Sequence, residues 1–405
     1  MVYDILRKSF KRGVSIMKVL MINSVCGIRS TGRICTDLAT ALTEEGYEVK
    51  IAYGREYVPK QFQQYAVKIG TKSDIRFHAI RSRLFDESGF GSRQATVNFI
   101  KWIKEFDPDV IHLHNLHGYY INIELLFDYL RICGKKIIWT LHDCWAFTGH
   151  SAHFDCLECE SKGVCDHPSQ KNDYPKSFVN FSRRNYQRKK KCFTHIPNLT
   201  IVTPSQWLAN LVGQSFLKEY PVKVIHNGID TTVFQPRLIA AQKLKKRYHL
   251  EGKQVLLGVA AIWTDKKGFS DMLVLASHLA DNQRIVLIGL KDRQLKKLPK
   301  GIIGLTETNS PEELAAWYTL ADVFLNPTYQ DSYPTTNLEA ISCGTPVISY
   351  PTGGSVESAK LYGLVCQDRN VASILSSLEK VSQLSKTEKL DFSIASFIKQ
   401  MKYLY

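Results

Sequence analysis

The chain lacks any apolar run approaching the roughly 18 residues that a membrane-crossing helix requires. Its first 17 residues, MVYDILRKSFKRGVSIM, are basic but lack an apolar h-region and a small-residue cleavage site. Residues 1–16 read as a loose extension or a mis-assigned start before Met17, with a basic surface-binding helix as the alternative. There is no low-complexity tract and no repeat at a period of roughly 20–50 residues, which excludes solenoid and propeller arrays. No zinc-finger array or RNA-binding aromatic signature is present. The net charge of +15 is therefore weak support for nucleic acid, and anionic membranes and small anionic substrates remain. No Gly-x-Gly-x-x-Gly follows the first strand-like run, which disfavours a dinucleotide site there.

What is present is a globular composition. Of 405 residues, 44% are hydrophobic, 11% aromatic and 22% charged, enough apolar mass for two cores in two or three domains. Cysteine is the least even feature. Cys26, Cys35, Cys133, Cys343 and Cys366 sit singly in apolar segments and read as core residues of a reduced, cytoplasmic protein. A cluster stands apart: Cys156-Leu-Glu-Cys159, then Cys165-Asp-His167, with His150 and His153 upstream. Cys156, Cys159, Cys165 and His167 suit a tetrahedral structural zinc, with free thiols or a disulfide as open alternatives.

Short apolar runs alternate with helical periodicity. KVLMIN (Lys18–Asn23), EVKIAY (Glu48–Tyr53), DVIHLH (Asp109–His114), KIIWT (Lys136–Thr140) and LTIVT (Leu199–Thr203) form one series. VKVIHN (Val222–Asn227), QVLLGVA (Gln254–Ala260), RIVLIG (Arg284–Gly289), DVFLNP (Asp322–Pro327) and PVISY (Pro346–Tyr350) form a second. Strands alternating with helices predict an α/β protein with parallel sheets covered on both faces. The division predicts a domain over 17–215, carrying a Cys-rich insertion at 144–175, and a second domain over 216–385. Phe392, Ile394, Phe397, Ile398, Met401 and Leu404 recur at helical spacing, so 386–405 reads as a terminal amphipathic helix.

Open α/β sheets bind ligands beyond the carboxyl ends of their strands, and the polar motifs lie there. Asp331 and Glu339 flank a predicted helix start at Thr335. Helix-start amides attract phosphate, and carboxylates accept hydrogen bonds from vicinal hydroxyls. Acid, helix start and acid therefore suit a ligand with phosphate between two sugars, as in a nucleotide sugar. Taken alone, the pair also fits a solvated loop acid and a helix-surface acid. Lys266 and Lys267 make a basic turn that can neutralise a diphosphate. His112, His114 and His117 crowd the end of one strand, followed by His142-Asp143 after the next. Gly27–Gly32 forms a short loop carrying Arg29 and Arg33, where glycine permits close backbone approach. The run from Arg183 to Lys191 reads as a solvated face or as a patch for an anionic membrane surface.

Taken in order, these motifs resemble family 4 glycosyltransferases. The residues that carry the resemblance are DSYPTTNLEAISCGTPVI with Pro351-Thr-Gly-Gly354, the Gly27–Gly32 loop, DVIHLHNLHG (Asp109–Gly118), TLHD (Thr140–Asp143), TPS (Thr203–Ser205), HNGID (His226–Asp230) and KKG (Lys266–Gly268). They span about residues 17–400. The subgroup most resembled makes bacterial capsular, colanic-acid-like and other surface polysaccharides.

The resemblance implies a GT-B fold of two doubly wound, Rossmann-like domains facing a cleft, with the C-terminal helix returning to the N-terminal domain. It implies a retaining enzyme whose UDP- or GDP-sugar donor meets Gly27, Lys266, Lys267, Asp331, Tyr333, Thr335, Thr336 and Glu339. Glu339 would hold the ribose and Asp331 the transferred sugar. His117 would reach the donor sugar, joining Lys267, Asp331 and Glu339 in the catalytic set. Arg29, His142 and Asp143 would lie on the acceptor side, toward a lipid-linked glycan. No Asp-x-Asp stands where it would hold a catalytic metal, so no cofactor is expected for the reaction. Expected partners are the nucleotide sugar, the glycan acceptor and the inner face of the plasma membrane, with no nucleic acid. Three positions depart from the family: Asp331 stands for its usual Glu, Ser332-Tyr333-Pro334 for Gly-Phe-Gly, and Ala261 for an Arg. Pro334 has no amide donor. A sugar-nucleotide 2-epimerase and a non-catalytic partner subunit are the competing readings.

Overall fold

The computed structural model describes residues 16–153, 174–384 and 391–405. Cys156, Cys159, Cys165 and His167 fall outside the described residues, as do residues 1–15. Among the described residues no group of three or more His, Cys, Asp and Glu is placed to hold a metal.

The chain divides into two compact units. The first is built on a seven-stranded sheet of order β3-β2-β1-β4-β5-β6-β7. Its strands are β1 (Lys18–Asn23), β2 (Glu48–Tyr53), β3 (Ala66–Lys68), β4 (Val110–Leu113), β5 (Lys136–Thr140), β6 (Leu199–Thr203) and β7 (Val222–Val224). Helices α1 (Arg29–Glu44), α2 (Lys72–Phe85), α3 (Arg93–Phe106), α4 (Ile123–Ile132) and α5 (Ser182–Phe193) belong to it, and α6 (Gln206–Gln214) follows β6. Val19 to Ile22 of β1 are fully buried, as the continuous apolar run KVLMI requires of a central parallel strand. β1 pairs in parallel with both β2 and β4. The strand order reverses between β1 and β4, so this sheet's ligand crevice lies beyond their carboxyl ends.

The second unit carries a six-stranded parallel sheet of order β10-β9-β8-β11-β12-β13. Its strands are β8 (Gln254–Val259), β9 (Gln283–Ile288), β10 (Ile302–Leu305), β11 (Val323–Asn326), β12 (Val347–Ser349) and β13 (Gly363–Val365). Side-chain alternation divides its core into two layers. Val255, Leu257, Val286, Ile288 and Phe324 point to one face, against α7 (Leu238–Arg247) and the helix that follows β10. Leu256, Ile285, Leu287, Val323 and Leu325 point to the other, against α8 (Phe269–Ala276). The later helices are α9 (Pro311–Leu320), α10 (Thr335–Ser342), α11 (Ser355–Ala359), α12 (Val371–Val381) and α13 (Ile394–Lys402). α9 packs with α7 on the first face and α12 with α8 on the second. The switch point lies between β8 and β11.

Two findings revise the strand series. Val222–Val224, read from sequence as opening the second series, is the edge strand of the first sheet. The short strands β3, β10 and β13 were not foreseen. None of their residues is fully buried, so they lack the apolar density that marks a central strand. Val202–Lys218, which carries α6, groups with the second unit. The Glu357 carboxylate of α11 accepts from the Gln206 and Trp207 amides at the start of α6, at 2.9 and 2.7 Å. That places an anion at a helix N-terminus, where the dipole favours it. α13 also belongs to the second unit, tied at its start to Ile229 through a bridge with Ser393.

Candidate active site

The second unit gathers its predicted residues at the carboxyl ends of β8 and β11. After β8 the chain makes a single turn over Asp265–Lys267 and closes it at Gly268, whose φ is +77°. A Cβ at Gly268 would lie 2.3 Å from the Pro327 carbonyl oxygen, so only glycine permits this approach to the loop after β11. The turn delivers Lys267, whose Nζ lies 2.7 Å from Asp331 Oδ2 and donates also to the Gln330 carbonyl at 3.5 Å. The two residues stand 64 positions apart in sequence. The other oxygen of Asp331 accepts from the Tyr333 amide at 3.3 Å. Tyr333 was expected to meet the donor; here its amide serves Asp331.

The Tyr333 ring is buried and stacks on His226 at 4.7 Å between centroids. His226 in turn bonds the Pro204 carbonyl through Nδ1, at 2.8 Å. The motifs TPS, HNGID and the Asp331 loop are thus brought to one place by packing. α10 begins at Thr335, as predicted, with Pro334 at its cap and no side-chain cap bond. Thr335 and Thr336 supply its first-turn amides. The PTGG segment presses on this loop: a Cβ at Gly353 would meet the Asp331 carbonyl oxygen at 2.2 Å, and one at Gly354 the Ser332 oxygen at 1.7 Å.

Glu339 lies one turn into α10 and accepts from the hydroxyl of fully buried Tyr318 at 2.9 Å. Burial, reinforced by this carboxylate, pushes the Tyr318 phenol well above its ordinary pKa, so it remains a donor. The bond fixes the carboxylate on its helix. Lys266 faces a neighbouring cavity of about 350 Å³ that Asp265, Asp271, Tyr329 and Arg369 also line. The arrangement offers one lysine, two carboxylates held by fixed donors, and a helix start. That set can bind a phosphate-linked polyol.

The first unit places its predicted residues after β1, β4 and β5. Gly27 has φ +72°, donates its amide to the Gly32 carbonyl at 3.1 Å and leaves no room for a Cβ against the Phe62 ring. Arg29, expected toward an anion, is paired with Glu56 at 2.7 Å. His117 Nε2 lies 2.8 Å from Asp143 Oδ2, and its Nδ1 lies 3.3 Å from the Tyr174 hydroxyl. Asp143 Oδ1 accepts from the Trp145 amide at 2.9 Å. Sequence reading named His117 and Asp143 but assigned them to different sides of the reaction; the structure makes them one pair.

His112, His114 and His142 form a stack behind this pair. The rings of His112 and His114 are 4.1 Å apart, and His114 Nδ1 lies 3.1 Å from His142 Nε2. His112 Nε2 meets Thr140 Oγ1 at 2.7 Å. Burial lowers His112 to about 3 and His142 to about 4, and drives His114 well down, so all three are neutral near pH 7. His142, expected on the acceptor side, is part of this structural stack.

Sequence reasoning missed one further group. Lys189 is buried on α5, donates to the carbonyls of Trp145 at 2.7 Å and Thr148 at 3.1 Å, and lies 3.6 Å over the Trp145 ring. It holds the turn that carries Asp143. A lysine inside a basic run gives no sequence signal of burial.

Comparison with known proteins agrees with this architecture. The model of Glycosyltransferase Family 4 matches residues 31–233, and that of Glycosyl transferases group 1 matches residues 241–391. A putative colanic acid biosynthesis glycosyl transferase, WcaC, of Escherichia coli is 24% identical over 350 residues, covering 82% of this chain and 83% of that one. An N,N'-diacetylbacillosaminyl-diphospho-undecaprenol alpha-1,3-N-acetylgalactosaminyltransferase of Campylobacter jejuni is 28% identical over 191 residues, 44% of this chain and 49% of that one. Among solved structures, a glycosyltransferase of Rickettsia africae superposes with a TM-score of 0.67 at 12% identity, covering 96% of this chain and 98% of that one. Anabaena Alr3699/HepE in complex with UDP-glucose gives a TM-score of 0.61 at 13% identity, with 96% and 98% covered. These likenesses at low identity share the GT-B fold. The chain belongs to glycosyltransferase family 4.

Proposed function

We propose that this glycosyltransferase moves a sugar from a UDP- or GDP-sugar onto a lipid-linked glycan, with retention of anomeric configuration, in the synthesis of a bacterial surface polysaccharide. The observation that carries the reading is the cluster of Lys267, Asp331 and Glu339 at the switch point of the second sheet. Glu339, fixed by Tyr318, accepts from the ribose hydroxyls. Thr335 and Thr336 offer amides to the diphosphate, with the α10 dipole behind them. Lys267 stabilises the charge that grows on the departing diphosphate, which then takes the acceptor's proton; Asp331 holds Lys267 in place and accepts from the transferred sugar. No protein nucleophile is assigned.

Two likenesses support the choice of partners. HepE is solved with UDP-glucose, and the Campylobacter relative is named for a diphospho-undecaprenol substrate. The similarity to WcaC supports polysaccharide synthesis. His117 and Asp143 are proposed to act together in turnover. Lys266 is proposed as a second cation for the diphosphate, in place of the arginine that Ala261 lacks.

The test is nucleoside-diphosphate release from a panel of UDP- and GDP-sugars, with and without membrane lipid extract. Release from one donor, raised by the extract, is expected. Equal release with and without extract, or epimer formation, contradicts the lipid-linked acceptor. Binding without release from any donor supports a non-catalytic subunit instead.

A further inference from the structure

Helix α2 is built inside out. Its buried side carries His78 and Ser82, and its outward side carries Phe77, Ile80, Leu84 and, at its end, Phe85. On the buried side both ring nitrogens of His78 are engaged. His78 Nε2 accepts from the Gly89 and Gly91 amides at 3.1 Å each, and its Nδ1 meets Ser92 Oγ at 2.9 Å. At 100° per residue, Phe77, Ile80 and Leu84 fall within roughly 60° of one another. Phe77 is 69% exposed. A soluble helix normally turns this stripe inward.

The stripe continues onto the segment before α5. Phe178 is 67% exposed, and its amide donates to the Arg83 carbonyl at 2.8 Å, which sets it beside the end of α2. Phe181 is exposed too, with the Arg184 guanidinium 4.5 Å over its ring and the same group bonded to the Phe85 carbonyl at 2.7 Å. Arg76, Arg83, Lys176 and Arg184 are exposed around these rings. Among the described residues the nearby acids are engaged: Asp74 caps its own helix at Thr71, Glu87 pairs with Arg81 at 2.6 Å, and Asp86 is buried against His150. The patch is therefore apolar at its centre and cationic at its rim. Arg188 and Lys189, read from sequence as part of a docking run, point elsewhere: Arg188 pairs with Glu124 and Lys189 is buried.

We propose that the α2 stripe, with Phe178 and Phe181, is the surface by which the first unit docks on an anionic lipid bilayer. Aromatic and aliphatic side chains enter the interface while Arg76, Arg83, Lys176 and Arg184 meet the headgroup phosphates. The charge on the rim selects a phospholipid surface over a second copy of this chain, whose matching patch would carry the same sign. The inference deepens the lipid-linked reading but does not need it to be measured.

The test is flotation of the full chain with vesicles, without donor or acceptor. Vesicles containing phosphatidylglycerol are expected to capture the protein, and pure phosphatidylcholine vesicles much less. Phe77→Ser with Leu84→Ser should lower the partition coefficient at least tenfold, with little cost to the fold because both side chains face water. Arg76→Gln and Arg83→Gln should each lower it about fivefold, less so in high salt. Leu238→Ser with Ile239→Ser, on exposed residues of the second unit, should leave it unchanged. Equal capture by neutral vesicles, full capture of the stripe variant, or loss through the second-unit variant would overturn the proposal. So would a concentration-dependent dimer that the stripe variant abolishes. Nucleoside-diphosphate release by the stripe variant separates the two readings: retained release with lost flotation leaves the transferase assignment intact.

Discussion

The two units place their polar residues at equivalent points of two similar sheets, yet fill them differently. The second unit puts charge there: Lys267 against Asp331, and Glu339 against a buried phenol. The first puts neutral imidazoles there, His112, His114 and His142, with one outer hydrogen-bonded pair between His117 and Asp143. A switch point between parallel strands supplies a crevice, and side-chain chemistry decides its use. The lysine and two carboxylates suit a phosphorylated, hydroxyl-rich ligand. The buried stack suits holding a loop at fixed geometry, and its histidines, held neutral by burial, favour the folded state less as the pH falls.

Four experiments sharpen or break this contrast. The largest effect is expected from Lys267→Met, which removes one of the two cations proposed for the leaving group. Turnover should fall roughly 100- to 1,000-fold, read as nucleoside-diphosphate release; a loss under tenfold breaks the assignment. Glu339→Ala comes next for stability, since it strips the acceptor from the buried Tyr318 hydroxyl. A loss of about 1–3 kcal/mol is expected in denaturant unfolding, while Glu339→Gln, which keeps an acceptor, should recover most of it.

In the first unit, His117→Ala and Asp143→Asn should each slow turnover by roughly tenfold, and the double variant should cost little more than either alone. Additive losses would show two independent roles. The last experiment concerns pH. His112 and His142 titrate lower folded than unfolded, so the unfolded chain binds more protons between about pH 4 and the ordinary histidine value near 6.5. Stability is then full above about 6.5 and falls as the pH drops toward 4, by up to ~1.4 kcal/mol per pH unit for each histidine. Melting curves of His112→Asn should show a shallower slope over that range.

The strand series and the order of the motifs were legible because central strands are continuous apolar runs and each motif follows one. β1, β2, β5 and β6 begin and end where the sequence predicts. The pairings were not legible. Nothing local links Lys267 to Asp331 or Tyr318 to Glu339, since folding alone brings them together. Burial of Lys189 and the outward stripe of α2 were hidden for the opposite reason. The basic run suggested a solvated face for Lys189, no local signal says which side of α2 faces outward, and packing decided both.

The central claim is that the second unit's switch point binds the donor nucleotide. Calorimetric titration of UDP and GDP into the wild-type chain and into Glu339→Ala tests it most directly. The account predicts saturable binding of one nucleotide, weakened at least about 30-fold in the variant, roughly 2 kcal/mol. Equal binding by wild type and variant, or no binding of either nucleotide, would contradict it.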